Sequence, residues 1–448
     1  MLHGPLLILV LLLSIGFVVI ATAKWRLHPF FSLLFAAFGL GMFAGMPLPE
    51  VVKTINEGFG ELMGSIGLVI VAGTVIGHIL EKSGAALRMA EVVLRRVGEK
   101  RPQLAMSLIG SIVSVPVFCD SGYVILSSLK KSLAKRAKVP LASMAIALAT
   151  GLFATHTLIP PTPGPIAAAG NIGASGYLGT VIWVGLIVAV PTVWVGYLWA
   201  TRVACRIHIQ GEEEGEVDDM AWGEMPSTAM SFAPILIPIL LIAQGSVVSL
   251  FQWEGALADG LLFLGSPVVA LLIGVLTAFF LLPKWDEERL TGWVGEAIID
   301  AAPILLITGA GGAFGSVIQA TPVADLIKGV AQGGAFSGML FVLIPFAIAA
   351  ALKTAQGSST ASLVITSALI APMLSEVGIS GALPLALVVM AIGAGAMTVS
   401  HVNDSYFWVV TQFSGMKVAQ AYKAHTAATL LQGVTALVMT LILWALLV

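Results

Sequence analysis

The chain has 448 residues, of which 58% are apolar and only 10% charged, with a net charge of −2 and a mean hydropathy of +0.99. Such a composition excludes an ordinary soluble domain and points to an all-α polytopic membrane protein. Two cysteines, Cys119 and Cys205, are too few for a disulfide framework or a zinc site; no metal, cofactor or nucleic-acid partner is expected.

Taken in chain order, the first apolar run, residues 5–23, ends in Ala-Thr-Ala like a signal peptide. It has no basic segment before it, and Lys24 and Arg26 follow it, so it reads as an uncleaved first span with its N-terminus outside. Spans near 29–46 and 63–80 follow, the second led by a short interfacial helix at 49–61. The apolar stretch 103–129 is then flanked on both sides by basic residues: Lys100 and Arg101 before it, Lys130, Lys131, Lys135, Arg136 and Lys138 after it. A single crossing would put one cluster on the wrong side. Pro116 and the Asp120-Ser121-Gly122 triplet also cut the stretch into limbs of about a dozen residues, whereas a span takes about 20. The stretch is therefore expected to be a re-entrant hairpin turning at Asp120, because irregular backbone at membrane depth must be covered by protein or line a wet cavity.

A broken helix is expected over 141–172, since the prolines in ATHTLIPPTPGP (154–165) stop the helix that begins near Leu141. A span near 178–200 closes the first half, residues 1–205. Residues 206–228 form a cytoplasmic linker whose acidic run, EEEGEVDD at 212–219, reads as solvated rather than regulatory. The second half, 229–448, repeats the order. It has spans near 230–250, 266–282 and 303–320, the last led by an interfacial helix at 285–301. A re-entrant hairpin at 339–374 turns at Gln-Gly-Ser-Ser-Thr (356–360). A broken helix over 384–413 is interrupted by Val-Ser-His-Val-Asn-Asp-Ser (399–405), and a last span covers 424–447.

The halves align. At an offset of 238, Pro29 meets Pro267, Glu50 meets Glu288 and Ala72-Gly73 meets Ala310-Gly311, and Asp120-Ser121-Gly122 falls on Ser358-Ser359-Thr360. After the hairpins the offset becomes 244, and Pro140-Leu141-Ala142 meets Pro384-Leu385-Ala386. Each half is read as five spans, one of them broken, plus one re-entrant helical hairpin. An odd number of crossings inverts the second repeat relative to the first. With that arrangement nineteen basic residues lie inside and only Lys53 and Lys328 outside, so both termini are expected on the periplasmic side. Inverted repeats with paired broken elements are the architecture of alternating-access carriers, with the site near the midplane.

Four breaks are expected to converge there. Asp120 is the principal proton-carrying candidate, with capping of its own turn as the plainer role. Asp404 serves capping and proton movement equally well, and His156 equally suits a local carbonyl contact. His156 and His401 fall within one residue of equivalence. Ser121, Gly122, Thr155, His156, Thr157, Ser358, Ser359, Thr360, Ser400, His401 and Asn403 are the candidate substrate contacts, because hydroxyls, amides and free helix ends suit a polyhydroxylated anion. Lys353 is the only basic side chain within either hairpin. Glycines 73, 77 and 309–315 read as close helix packing rather than a phosphate loop. An intramembrane enzyme using Asp120 and Asp404 is the remote alternative, and the chain has no paired-aspartate signature or His-Glu-x-x-His.

The segments VPVFCDSGY (115–123), ATHTLIPPTPGPIAAAG (154–170), QGSSTAS (356–362) and SHVNDSYFW (400–408) resemble the hallmark segments of the gluconate permease (Gnt) family over nearly the whole chain. The resemblance implies a proton symporter in the bacterial inner membrane, grouped with elevator-type carriers, that imports gluconate or a related sugar acid. Some members carry D-serine, so D-serine or another small hydroxy-carboxylate stays open as substrate. Sodium held by the Ser/Thr-rich turns stays open as the coupling ion. Cys119 and Ser121 depart from the Phe and Val common in the family, which leaves the particular substrate open. A homodimer is the expected assembly.

Overall fold

Apolar runs punctuated by proline and glycine give helices that stop where the sequence breaks them. The computed structural model describes residues 5–98, 101–209, 225–321, 338–402 and 404–448, and contains no strand among them. The helices are α1 (Pro5–Ala23), α2 (Pro29–Phe43), α3 (Leu48–Lys82), α4 (Ala85–Val97), α5 (Pro102–Val113), α6 (Cys119–Ile125), α7 (Ser127–Ala137), α8 (Leu141–Leu158), α9 (Pro163–Asn171) and α10 (Leu178–Arg202). The second half contributes α11 (Thr228–Leu250), α12 (Ala256–Gly265), α13 (Pro267–Phe279), α14 (Val294–Gln319), α15 (Leu343–Gln356), α16 (Ser359–Leu374), α17 (Ala382–Met397), α18 (Ser405–Ser414) and α19 (Ala427–Leu447).

The broken helices form the centre. Every residue of α8 from Ala142 to Leu158 is buried, as is α17 from Leu385 to Met397. Around them, the outer helices expose large apolar side chains such as Phe43, Val190, Leu240, Phe280 and Leu446. A belt of that kind is a liability in water and the normal surface against lipid. Six helical segments are long and apolar enough to cross a membrane, and two bent pairs raise the number to eight among the described residues.

Of the ten separate spans expected, α1, α2 and α17 are not among these eight, whereas Gly338–Ala355, the first limb of the expected second hairpin, is long and apolar enough to be one of them. Helix α2 has 15 residues and α17 has 16, both short of the about 20 a free-standing span requires. Gly45 in the left-handed region ends the first, and the break after Met397 ends the second within protein. The interfacial helices expected at 49–61 and 285–301 are not separate elements. Helix α3 runs 35 residues with a 45° bend between Ser65 and Gly67. The second continues through a π-helical stretch, Glu288–Trp293, into α14. After Pro49 in the first turn no proline occurs up to Lys82, and Val51, Ile55 and Gly58 keep a helical inward spacing, so nothing terminates the helix there.

Helices α3 and α14 pack along their lengths. A Cβ on Gly58 would come within 2.3 Å of Ser316 Oγ, and one on Gly312 within 2.6 Å of the Gly58 carbonyl. On another part of α3, a Cβ on Gly73 would sit 2.8 Å from the Pro161 carbonyl oxygen, and one on Gly77 only 2.2 Å from that of Pro116. The glycines of α3 therefore let backbone lie directly on two of the chain breaks, the packing role expected for them.

Candidate functional site

Each break is built from residues that leave backbone groups unpaired and neighbours that take them up. In the first, α5 ends at Val113 and α6 restarts at Cys119; Ser114 Oγ donates to the Val117 carbonyl at 3.0 Å. Asp120 falls in the first turn of α6, where a carboxylate is favoured by free N–H groups. The Cys119 thiol lies 3.6 Å from Asp120 Oδ2, and the Ser405 side chain reaches the same carboxyl. Asp120 Oδ1 is buried and has no hydrogen-bond partner.

The second break runs from Ile159 to Thr162 and contains the cis peptide Pro160-Pro161. Prolines remove donors here, and Thr162 Oγ1 donates to the carbonyls of Ile159 at 2.6 Å and His156 at 3.0 Å. His156 is buried beside the Phe118 ring, with Nδ1 lacking a partner. Thr155 and Thr157 bond back to carbonyls one turn earlier in α8. Thr157 is fully buried, and its carbonyl faces α17 at Gly393.

The third break is the turn between α15 and α16. Gly357 adopts φ 86°, and Ser358 caps α16 by accepting from Ala361 N at 3.2 Å. Ser358 is exposed and Thr360 half-buried, while Ser359 is buried. Gly164 of α9 packs against Thr360, bringing the N-termini of α9 and α16 together.

The fourth break separates α17 from α18, and Asp404 dominates it. Its Oδ1 accepts from Tyr406 N at 3.1 Å, capping α18. Its Oδ2 accepts from Lys353 Nζ at 2.5 Å and from the Ser400 hydroxyl. Lys353 also donates to the Gly357 carbonyl at 2.6 Å and lies 5.4 Å from the Phe153 ring centre. Both members of the pair are buried. Ser400 Oγ in turn meets His425 Nε2 at 3.0 Å, its N–H donates to Thr429 Oγ1, and its carbonyl accepts from Thr426. His401 reaches the Thr354 carbonyl at 2.9 Å and is partly exposed. Asn403 lies outside the described residues.

The four breaks thus meet: Asp120 faces Ser405 and Asp404, His156 lies against Phe118, Lys353 joins the second hairpin turn to Asp404, and α9 abuts α16. Asp120, Ser121, Ser358 and Thr360 are at least partly accessible, whereas Thr155, His156, Ser359, Ser400 and Asp404 are inside. Gly122 is buried against Leu152 and supplies packing rather than a contact surface.

Sequence reasoning gave Lys353 no partner, although a charge within an apolar limb demands one. It passed over Ser405 and His425 altogether. His425 sits in a π-helical turn, Tyr422–Thr426, at the start of the last long helix, where hydropathy reads only a span. Lys130, one of the basic residues that follow the first hairpin, is fully buried, donating to Tyr123 Oη at 3.1 Å, the Phe413 carbonyl at 3.1 Å and Ser414 Oγ at 3.2 Å. It caps the C-terminal end of α18, where a cation is favoured.

Comparison with known proteins bears on family and fold. The profile of the GntP family permeases matches residues 6–447. A gluconate permease of Pseudomonas aeruginosa is 31% identical, with 98% of each chain covered. A low-affinity gluconate transporter of Escherichia coli K12 is 30% identical over 95% of each chain. An uncharacterized permease of Haemophilus influenzae is 33% identical over 92% of this chain and 86% of its own. Among solved structures, the YdaH transporter of Alcanivorax borkumensis superposes with a TM-score of 0.67 at 16% identity, covering 93% of this chain and 97% of its own. MtrF of Neisseria gonorrhoeae, described as one of a class of antimetabolite efflux pumps, gives 0.61 at 18% identity, covering 100% and 96%. These two likenesses speak to the fold.

Proposed function

The chain belongs to the GntP permease family, a multi-pass membrane transporter rather than an enzyme, and from that premise we propose that it imports a gluconate-like sugar acid together with a proton. The observation that carries the reading is the contrast between two carboxylates at one site. Asp404 spends both oxygens on Lys353, Ser400 and the N-terminus of α18, whereas Asp120 keeps a buried oxygen free. A group that must take up and release a proton in each cycle needs that unshared oxygen. In this reading Asp120 carries the proton, and Asp404 fixes the second hairpin turn to the fourth break. The N-termini of α9, α16 and α18 favour the substrate carboxylate, and Ser121, Ser358, Thr360 and Ser405 meet its hydroxyls. Thr155, His156, Ser359, Ser400 and His401 complete the surrounding shell.

The alternating-access part of the proposal draws support from a contact pattern. Gly58 packs on Ser316, and His78 packs on Glu296. An offset of 238 residues exchanges these two contacts, as two inverted copies of one unit would. Elevator motion, the periplasmic placement of both termini, the inner-membrane location and a homodimer belong to the same proposal.

Uptake into proteoliposomes tests it. Gluconate, shorter sugar acids and D-serine are offered under a proton gradient or a sodium gradient alone. The expected result is concentration of a sugar acid under the proton gradient only. Accumulation driven by sodium alone, or of D-serine in preference to every sugar acid, would replace the reading.

A further inference from the structure

One buried charge has no part in the transport site described above. Among the described residues, Lys130, Lys353 and Asp404 are the only lysine, arginine, aspartate or glutamate side chains that are buried. Lys353 and Asp404 pair at 2.5 Å, so their charges cancel. The partners of Lys130 are of another kind: Tyr123 Oη, the Phe413 carbonyl and Ser414 Oγ accept from its Nζ, and none of them carries a charge. Three acceptors match the three N–H groups of an ammonium. Two further features favour the charged form. Nζ lies 4.3 Å from the centre of the Tyr123 ring, and Phe413 and Ser414 belong to the C-terminal end of α18, the negative end of the helix dipole.

The same bonds fix what Lys130 travels with. Tyr123 lies in α6, which carries Asp120 in its first turn, and Ser414 ends α18, which Asp404 caps. Tyr123 Oη meets Ser414 Oγ at 2.6 Å, and the Tyr123 ring packs edge-on against Tyr406. Asp120 and Lys130 therefore belong to one packed unit. Lys131, Lys135, Arg136 and Lys138, which follow Lys130, are exposed, and water and salt screen them. A dry charge in a unit that moves across the membrane is costly, and it makes the movement sensitive to voltage.

We propose that Lys130 is the fixed counter-charge of the carrier, which keeps both the empty and the loaded form neutral as they cross the membrane. The proposal rests on Asp120 as the carrier of a single proton and on movement of the first hairpin and α18 across the field. In the empty form, the negative charge of ionised Asp120 and the positive charge of Lys130 sum to zero. In the loaded form Asp120 is protonated, and Lys130 offsets the carboxylate of the sugar acid instead. His156 and His425 add nothing: each has a buried Nδ1 without a partner, and a doubly protonated ring would leave an N–H there with no acceptor. Without Lys130 both forms would carry one negative charge. The charge moved in a complete cycle would still be zero, so the gradients would drive the same final accumulation. Only the rates would feel the voltage.

The test measures exchange and proton-driven net uptake of labelled gluconate in proteoliposomes, with the membrane potential clamped by potassium and valinomycin at zero or at about 100 mV inside-negative. Unsubstituted protein should run at the same rate at both potentials. Lys130→Gln and Lys130→Met should slow the inward loaded step by about sevenfold at the inside-negative potential, the effect on one charge of a barrier half way across the field, with the final accumulation unchanged. Tyr123→Phe and Ser414→Ala disturb the same bonds but keep the charge. Whatever they do to the rate, it should stay independent of voltage, whereas a merely structural Lys130 would make all four variants alike in this respect. Asp120→Asn keeps the proposal exposed even where the Lys130 variants fail to fold. Its loaded form is neutral only with a charged Lys130, so its exchange should ignore the potential. Voltage-dependent exchange by Asp120→Asn or by unsubstituted protein, or voltage-independent exchange by an active Lys130→Gln, would overturn the proposal. The underlying reading fails differently. Final accumulation by unsubstituted protein that grows with inside-negative potential, or that needs no proton gradient, would remove the single-proton symport itself.

Discussion

Asp120 and Asp404 stand at the starts of two short helices, α6 and α18, that pack on each other, yet their surroundings differ in kind. Asp404 is locked by a cation, a hydroxyl and a backbone N–H, all within the protein. Asp120 has a thiol and the exposed Ser405 beside it and one oxygen without a partner. The same side chain at the same kind of helix end can therefore be a fixed strut or an exchangeable proton seat. What decides is how many of its acceptor sites the fold has already filled. Removing a strut should damage the fold, and removing a proton seat should damage coupling.

The largest effect on stability should come from splitting the buried pair. Lys353→Met or Asp404→Asn leaves the partner charged or underbonded in a dry interior, at a cost of about 3–5 kcal/mol. Thermal unfolding of the purified protein in detergent should show this as a large drop in Tm. The double variant Lys353→Met/Asp404→Asn should recover a substantial part of it. A loss of coupling with unchanged Tm in either single variant would blur the distinction between the two carboxylates.

Asp120→Asn should do the reverse. Because the wild-type oxygen is unpartnered, the amide removes no hydrogen bond from Oδ1, and the Tm should move far less than for Asp404→Asn. Accumulation under a pH gradient should nevertheless disappear.

Smaller effects sharpen the picture around Asp404. Ser400→Ala takes a hydroxyl from both Asp404 and His425, and leaving such buried groups short of a partner costs about 1–3 kcal/mol. The Tm should fall, by less than for Asp404→Asn. The exposed Lys53–Glu57 pair gives the baseline: Lys53→Ala should change stability by less than about 1 kcal/mol, the usual scale for a solvated ion pair.

How much of this was legible beforehand follows from the range of the interactions. The breaks at Pro116, Pro160-Pro161, Gly357 and Thr398–Val402 were readable because proline, glycine and hydroxyl residues act on their own backbone within a turn or two. The glycine packing of α3 was readable because small residues at helical spacing have few other uses in an apolar helix. The Lys353–Asp404 pair was not, since 51 residues separate its members and nothing local marks them as partners. The burial of Lys130 was not legible for a physical reason. Counting basic residues by loop treats each lysine as solvated, whereas its long stem carried this ammonium inward to the end of α18. The interfacial helices were misread because a change of polarity along α3 marks where lipid meets water, and carries no signal that ends a helix.

The central claim, that Asp120 moves a proton with the substrate, is tested most directly by recording the internal pH of proteoliposomes as gluconate is added outside, with no pH gradient imposed. Unsubstituted protein should acidify the lumen as gluconate enters. Asp120→Asn should leave the lumen pH flat while labelled gluconate still exchanges at least in part across the membrane. Acidification by Asp120→Asn at the unsubstituted rate would contradict the account and place the proton elsewhere.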